Sequence, residues 1–154
     1  MLQKKLGYVL SLAFIVFSQL AWSADTTPTA PAPDPELSKA RELIAKKDWG
    51  SAVMTLESFT KASPANADGF NLLGYSYRNL KRYDEALVAY KQALKLDPKH
   101  RGAHEYIGVA YIQMGQLDKA KEHLDALDKI CIFSCEEYRD LKKAYEEARK
   151  AKSN

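Results

Sequence analysis

Cysteine is almost absent from this chain: Cys131 and Cys135, three residues between them, are the only two in 154 positions. Two thiolates do not close a metal site, and His100, His104 and His123 show no ligand spacing around them. The sequence also lacks a glycine-rich phosphate loop, a nucleophile elbow and a His-Glu-x-x-His zinc helix, so nothing in it points to an enzyme. An excess of charge is missing too. With 23 basic and 20 acidic residues the chain offers no electrostatic footprint for nucleic acid. No stretch alternates in the manner of a strand, which leaves an all-helical chain.

No apolar run reaches the roughly 20 residues of a membrane span. What stands at the N-terminus is shorter: Lys4 and Lys5, then the fifteen residues LGYVLSLAFIVFSQL, then AWSA. This pattern predicts a signal peptide over residues 1–23, cut after Ser23, and export to a periplasm with no membrane contact afterwards. Cleavage would remove two basic residues and no acidic one, leaving a net charge near +1. Residues 24–35 hold four of the six prolines and almost no large apolar group, so they read as an extended linker.

The rest is periodic. Ala52, Ala86 and Ala120 are 34 residues apart, as are Pro64 and Pro98, Gly74 and Gly108, and Tyr77 and Tyr111. A fixed period of this length predicts a stacked array. The best-formed unit, residues 67–100, carries Phe70, Leu73, Gly74, Tyr77, Tyr83, Ala86, Tyr90, Ala93 and Pro98, and in these it resembles the tetratricopeptide repeat family. A third unit, 101–134, keeps Ile107, Gly108, Tyr111, Ala120, Leu124 and Leu127, and a more degenerate first unit, 33–66, keeps Ala40, Trp49, Ala52, Leu56, Phe59 and Pro64. The resemblance implies an all-α helical-hairpin solenoid, three repeats over 36–134. A capping helix over 135–151 should lay Tyr138, Leu141, Tyr145 and Ala148 on the third repeat.

It also implies a function in binding, without a cofactor. In this family the first helices of successive repeats line a concave groove for an extended peptide or a partner's helix. Carried onto this sequence, the groove residues are Arg41 and Ile44, then Asn71, Tyr75, Arg78 and Asn79, then Glu105, Val109, Ile112 and Gln113. Asn71 would bond a peptide backbone through donor and acceptor, Arg78 would hold a carboxylate, and Tyr75 would offer apolar area with a polar tip. The lysine and asparagine clamp that some relatives use for chaperone C-termini is not carried over: Leu37, Arg41, Leu72, Gly102 and Tyr106 occupy its positions. The reading is a protein-binding adaptor of the bacterial envelope with an unidentified protein or peptide partner, self-association through terminal helices staying open.

The stretch KICIFSCEEYRDL then becomes a junction. Ser134 and Glu137 form a capping-box pattern that predicts Ser134 as N-cap and Cys135 as first residue of the last helix. Cys131 would end the third repeat. In an oxidising compartment the default for the pair is a structural disulfide. A redox pair with Cys135 at a helix N-terminus, or a metal site with His123 as the nearest histidine in sequence, are the alternatives, and with them a thiol-redox or metal-handling protein.

Overall fold

The computed structural model describes residues 34–153, and within them it has seven helices and no strand. The signal peptide and most of the linker lie outside the described residues. The helices are α1 (Pro35–Ala45), α2 (Trp49–Ala62), α3 (Ala67–Asn79), α4 (Tyr83–Leu96), α5 (Arg101–Gln113), α6 (Leu117–Ile130) and α7 (Glu136–Ser153). Asp34 and Pro35, assigned to the linker from the sequence, instead start α1. The Asp34 carboxylate accepts from the amides of Glu36 (2.8 Å) and Leu37 (3.2 Å), and Pro35 sits at the first helical position, where no N–H is needed.

Similar caps begin three more helices. Asp48 accepts from Ser51 N–H at 3.2 Å, Asn66 from Gly69 N–H at 2.9 Å, and His100 Nδ1 from Ala103 N–H at 3.2 Å. The first helix of each hairpin ends in one recurring motif. Lys47, Lys81 and Gly115, 34 residues apart, take φ of 58°, 60° and 73°. The amide after each reaches back five residues, Asp48 to Leu43 O (2.9 Å), Arg82 to Tyr77 O (2.9 Å) and Gln116 to Tyr111 O (2.8 Å). This is a Schellman turn made three times, with glycine at its left-handed position only in the third repeat.

Small residues set how closely the helices approach. Ala52, Ala86 and Ala120 are fully buried. A Cβ on Gly74 would lie 2.6 Å from the ring of Tyr90, which is itself fully buried on α4, so α3 and α4 need glycine to close. Gly108 plays the same part for the last helix, where a Cβ would meet Leu141 of α7 at 2.5 Å. Leu141 is fully buried, as is Leu127, beside buried Leu124, and Tyr138 and Tyr145 pack against them, so the apolar stripe of α7 covers the third repeat. Burial of one such leucine is worth about 1.5–3 kcal/mol.

The junction before α7 departs from the expected capping box. Ser134 has φ of 56°, outside the extended region an N-cap needs, and α7 starts at Glu136 rather than Cys135. The structure joins Cys131 to Cys135, with Cα atoms 5.6 Å apart, and closing so short a turn puts Ser134 in the left-handed conformation. Its carbonyl, not its hydroxyl, is engaged, accepting from Arg139 Nη1 at 3.2 Å.

Candidate binding groove

Consecutive first helices touch, α1 with α3, α3 with α5 and α5 with α7, whereas α2, α4 and α6 do not touch one another. A stack whose inner helices meet and whose outer helices splay is curved, with α1, α3, α5 and α7 on its concave side.

At the centre of that side three elements bring aromatic rings together. Tyr75 of α3 meets Tyr106 of α5 with centroids 4.9 Å apart, and Trp49 at the start of α2 stands edge-on to Tyr75 at 5.8 Å. The Arg78 guanidinium lies 5.1 Å from the Tyr75 ring centre and 5.6 Å from that of Tyr106. Each such cation–π contact is worth about 0.5–1 kcal/mol, and together they hold Arg78 in place. Its Nε, like the hydroxyl of Tyr90 beneath Tyr106, is buried and makes no hydrogen bond. Burial also pushes the Tyr90 and Tyr106 phenols up, so both stay neutral.

Toward α7 the groove turns acidic. Glu105, Tyr106, Glu136, Glu137 and Asp140 surround a cleft of about 280 Å³. Burial pushes the Glu105 carboxyl up to about 7, the charges of Asp140 and Glu137 add to this, and Arg78 opposes it. Arg101 Nε is 3.6 Å from Glu137 at the rim. A basic side chain entering here would be met by carboxylates while its neighbours lie over the Tyr75 and Tyr106 rings.

Of the groove residues expected from the sequence, Tyr75, Arg78 and Glu105 are brought together. Arg41 is exposed on α1 and 3.7 Å from Asp68. Ile44 packs against the core, Asn79 turns its amide to Tyr75 O at 2.8 Å, and Gln113 is exposed at the end of α5. Three of the expected groove residues, Asn71, Val109 and Ile112, need correction. Asn71 is only 7% exposed, beside Gly102, so its amide is not free for a peptide backbone. Val109 and Ile112 pack against the Leu124, Leu127 and Leu141 cluster, because α7 lies across α5. His123, the histidine nearest the cysteines in sequence, faces His104, the Nδ1 atoms 3.0 Å apart.

Trp49 and Tyr106 were not among the expected groove residues. Tyr106 sits at a position of the chaperone clamp, where it registers in the sequence as a missing amide or cation. Trp49 belongs in the sequence to the repeat pattern of the first unit. The signal that could have found them is the clustering of aromatics around Tyr75.

Two segments of the chain, 67–100 and 107–131, match family models described as tetratricopeptide repeat. The fold is the tetratricopeptide-repeat solenoid. The protein bimA of Emericella nidulans is 34% identical over 85 residues, covering 55% of this chain and 10% of bimA. In structure, the repeat domain in the TPR2B-domain:pHsp70-complex of yeast Sti1 superposes with a TM-score of 0.70 at 23% identity, over 75% of this chain and 94% of that one. MamA from Desulfovibrio magneticus RS-1 gives 0.60 at 25% identity, over 62% and 54%. The chain spans only 8% to 32% of the length of the curated relatives it matches.

Proposed function

We propose that this chain is a non-catalytic adaptor of the bacterial cell envelope that holds a protein segment, extended or helical, along its concave face. The observation that carries the reading is the Tyr75, Arg78 and Tyr106 cluster, a rigid aromatic surface with a fixed cation on the curved side of a tetratricopeptide-repeat solenoid. Aromatic and arginine side chains of this kind are the usual energetic centres of protein interfaces. The acidic cleft beside it favours a segment that supplies a lysine or arginine next to an apolar residue. Binding through the chaperone clamp is not part of the proposal: Leu37 and Leu72 pack against or beside the core and Tyr106 stacks on Tyr75.

Crosslinking in the native envelope followed by mass spectrometry tests this directly. Tyr75→Ala and Arg78→Glu should each reduce partner capture by roughly ten- to a hundredfold, while replacement of Cys131 and Cys135 should leave it largely intact. The reverse pattern would favour the thiol-based reading, and failure to recover any reproducible protein partner would overturn the adaptor reading.

A further inference from the structure

His104 of α5 and His123 of α6 are 19 residues apart and show no ligand spacing in the sequence, yet the hairpin sets their rings against each other. The Nδ1 atoms are 3.0 Å apart and the ring centroids 5.3 Å. The difference is one ring radius at each end, so the two nitrogens point straight at one another. His104 donates its Nε2–H to Pro98 O at 3.1 Å, which leaves its Nδ1 as a lone pair aimed into the seam. His123 lies stacked on Tyr111, centroids 5.8 Å apart, and Lys119 Nζ stands 5.3 Å from the centre of the Tyr111 ring. Burial keeps both imidazoles neutral at pH 7. A neutral ring whose second nitrogen is tied to a backbone carbonyl is the form in which histidine binds metal ions.

The number and direction of the donors select the ion. Zinc closes a tetrahedron of ligands, and among the described residues no group of three or more His, Cys, Asp or Glu side chains converges to hold a metal. The charges acting on the pair from outside are Lys91 on His123, and His100 and Asp97 on His104. Lys91 offsets Asp97, so a divalent ion between two neutral rings would keep its whole charge in a half-buried seam. A monovalent ion with a filled d shell, copper(I) or its analogue silver(I), carries half that charge and is satisfied by two opposed nitrogen donors in line.

We infer that the seam between His104 and His123 is a binding site for copper(I), held in line between the two Nδ1 atoms. Metal–nitrogen bonds of about 2 Å each set the nitrogens about 4 Å apart, so the rings part by about 1 Å from their present 3.0 Å, a matter of small side-chain rotations. The proton on His123 Nδ1 leaves and Nε2 of the same ring takes one up, so both ligands stay neutral and no net proton is released. The site uses neither cysteine, since Cys131 and Cys135 are joined to each other, and no residue of the Tyr75, Arg78 and Tyr106 cluster. The inference therefore stands independently of what the groove binds.

The test is titration of the protein as recovered from the cell, its disulfide intact, with copper(I) buffered by bicinchoninate under nitrogen and, separately, with silver nitrate in chloride-free buffer. Each ion should bind in one equivalent. His104→Gln and His123→Gln, both shown folded by circular dichroism, should each weaken binding roughly a hundredfold. Two measurements on the wild type need no variant. Nitrogen NMR should show both Nδ1 resonances shifted and the His123 proton on Nε2, and X-ray absorption should place two nitrogens about 2 Å from copper with no sulfur bound. Absence of binding would overturn the inference, as would unchanged affinity in either variant. Sulfur bound to copper would assign the ion to methionine or to an opened cysteine pair and overturn it too. Zinc held more tightly than silver would overturn the choice of a monovalent ion.

Discussion

His104 and His123 meet ring to ring in the seam between α5 and α6, and their protonation is settled by their neighbours. His104 Nε2 lies 3.1 Å from Pro98 O, an acceptor, so this nitrogen donates and His104 Nδ1 must accept. The proton between the two Nδ1 atoms, 3.0 Å apart, therefore belongs to His123. A second proton has no place to go. Burial holds His123 down to about 4, helped by His104 and Lys91, and burial lowers His104 as well. The unfolded chain takes up these protons near pH 6.5 and the folded chain does not, so stability is full above that pH and is lost as pH falls toward 4. Urea titrations across this window should show a loss on the order of 2 kcal/mol, discounted for the partial exposure of His123, and His123→Leu should flatten it. Parallel curves for both proteins would remove the pair from the acid response. Residue identity alone reveals none of this, because the two histidines are 19 positions apart and meet only when the hairpin closes. The groove is legible to the same degree: Tyr75 and Arg78 follow from helical register, while Val109 and Ile112 share that register and are covered by a helix whose placement the register does not specify.

At the scale of elements, helix starts and stops divide by how local their causes are. Asp34, Asp48 and Asn66 cap the helices that follow them through side chains two or three residues away, and such signals can be read directly. Ser134 carries the same local signal and fails to cap, because a covalent link across the turn overrides it. The link has a measurable consequence. Closing this short loop removes about 2 kcal/mol of unfolded-state entropy in the chain model. What it holds is the approach of α7, whose Leu141 must seat on Gly108. Replacing both cysteines with serine should therefore speed amide exchange about thirtyfold across Glu136–Ser153 and leave α3 and α4 protected as before. Uniform loss of protection through all seven helices would show that the bond acts on the whole domain instead. Free thiols in the protein as purified would show that it does not form.

For the molecule as a whole, the solenoid is legible because a 34-residue period runs through three successive units, residues 33–134. Each hairpin can bury its apolar face only against the next, so the period dictates a stack. The Schellman turns at Lys47, Lys81 and Gly115 repeat with the same spacing, yet lysine hides the first two from any search for glycine. The period says nothing, however, about where in the cell the stack works. That information resides in two other places: the Lys4 and Lys5 pair with the apolar run and AWSA that follow it, and the cysteine pair at the far end. The first is the pattern of an export signal. The second makes chemical sense as a bond only in an oxidising compartment. The bond is the default reading only once export is granted, so the envelope setting proposed above rests first on the N-terminal pattern and the cysteine pair is consistent with it. Expressed in a Gram-negative host and fractionated, the protein should be found in the periplasm with Ala24 as its first residue and with an intact mass lower by two hydrogen atoms than the dithiol form. Full-length protein in the cytoplasm, with both thiols open to alkylation, would overturn export and staple together. A cut chain with free thiols would retain export and return the cysteines to the redox reading.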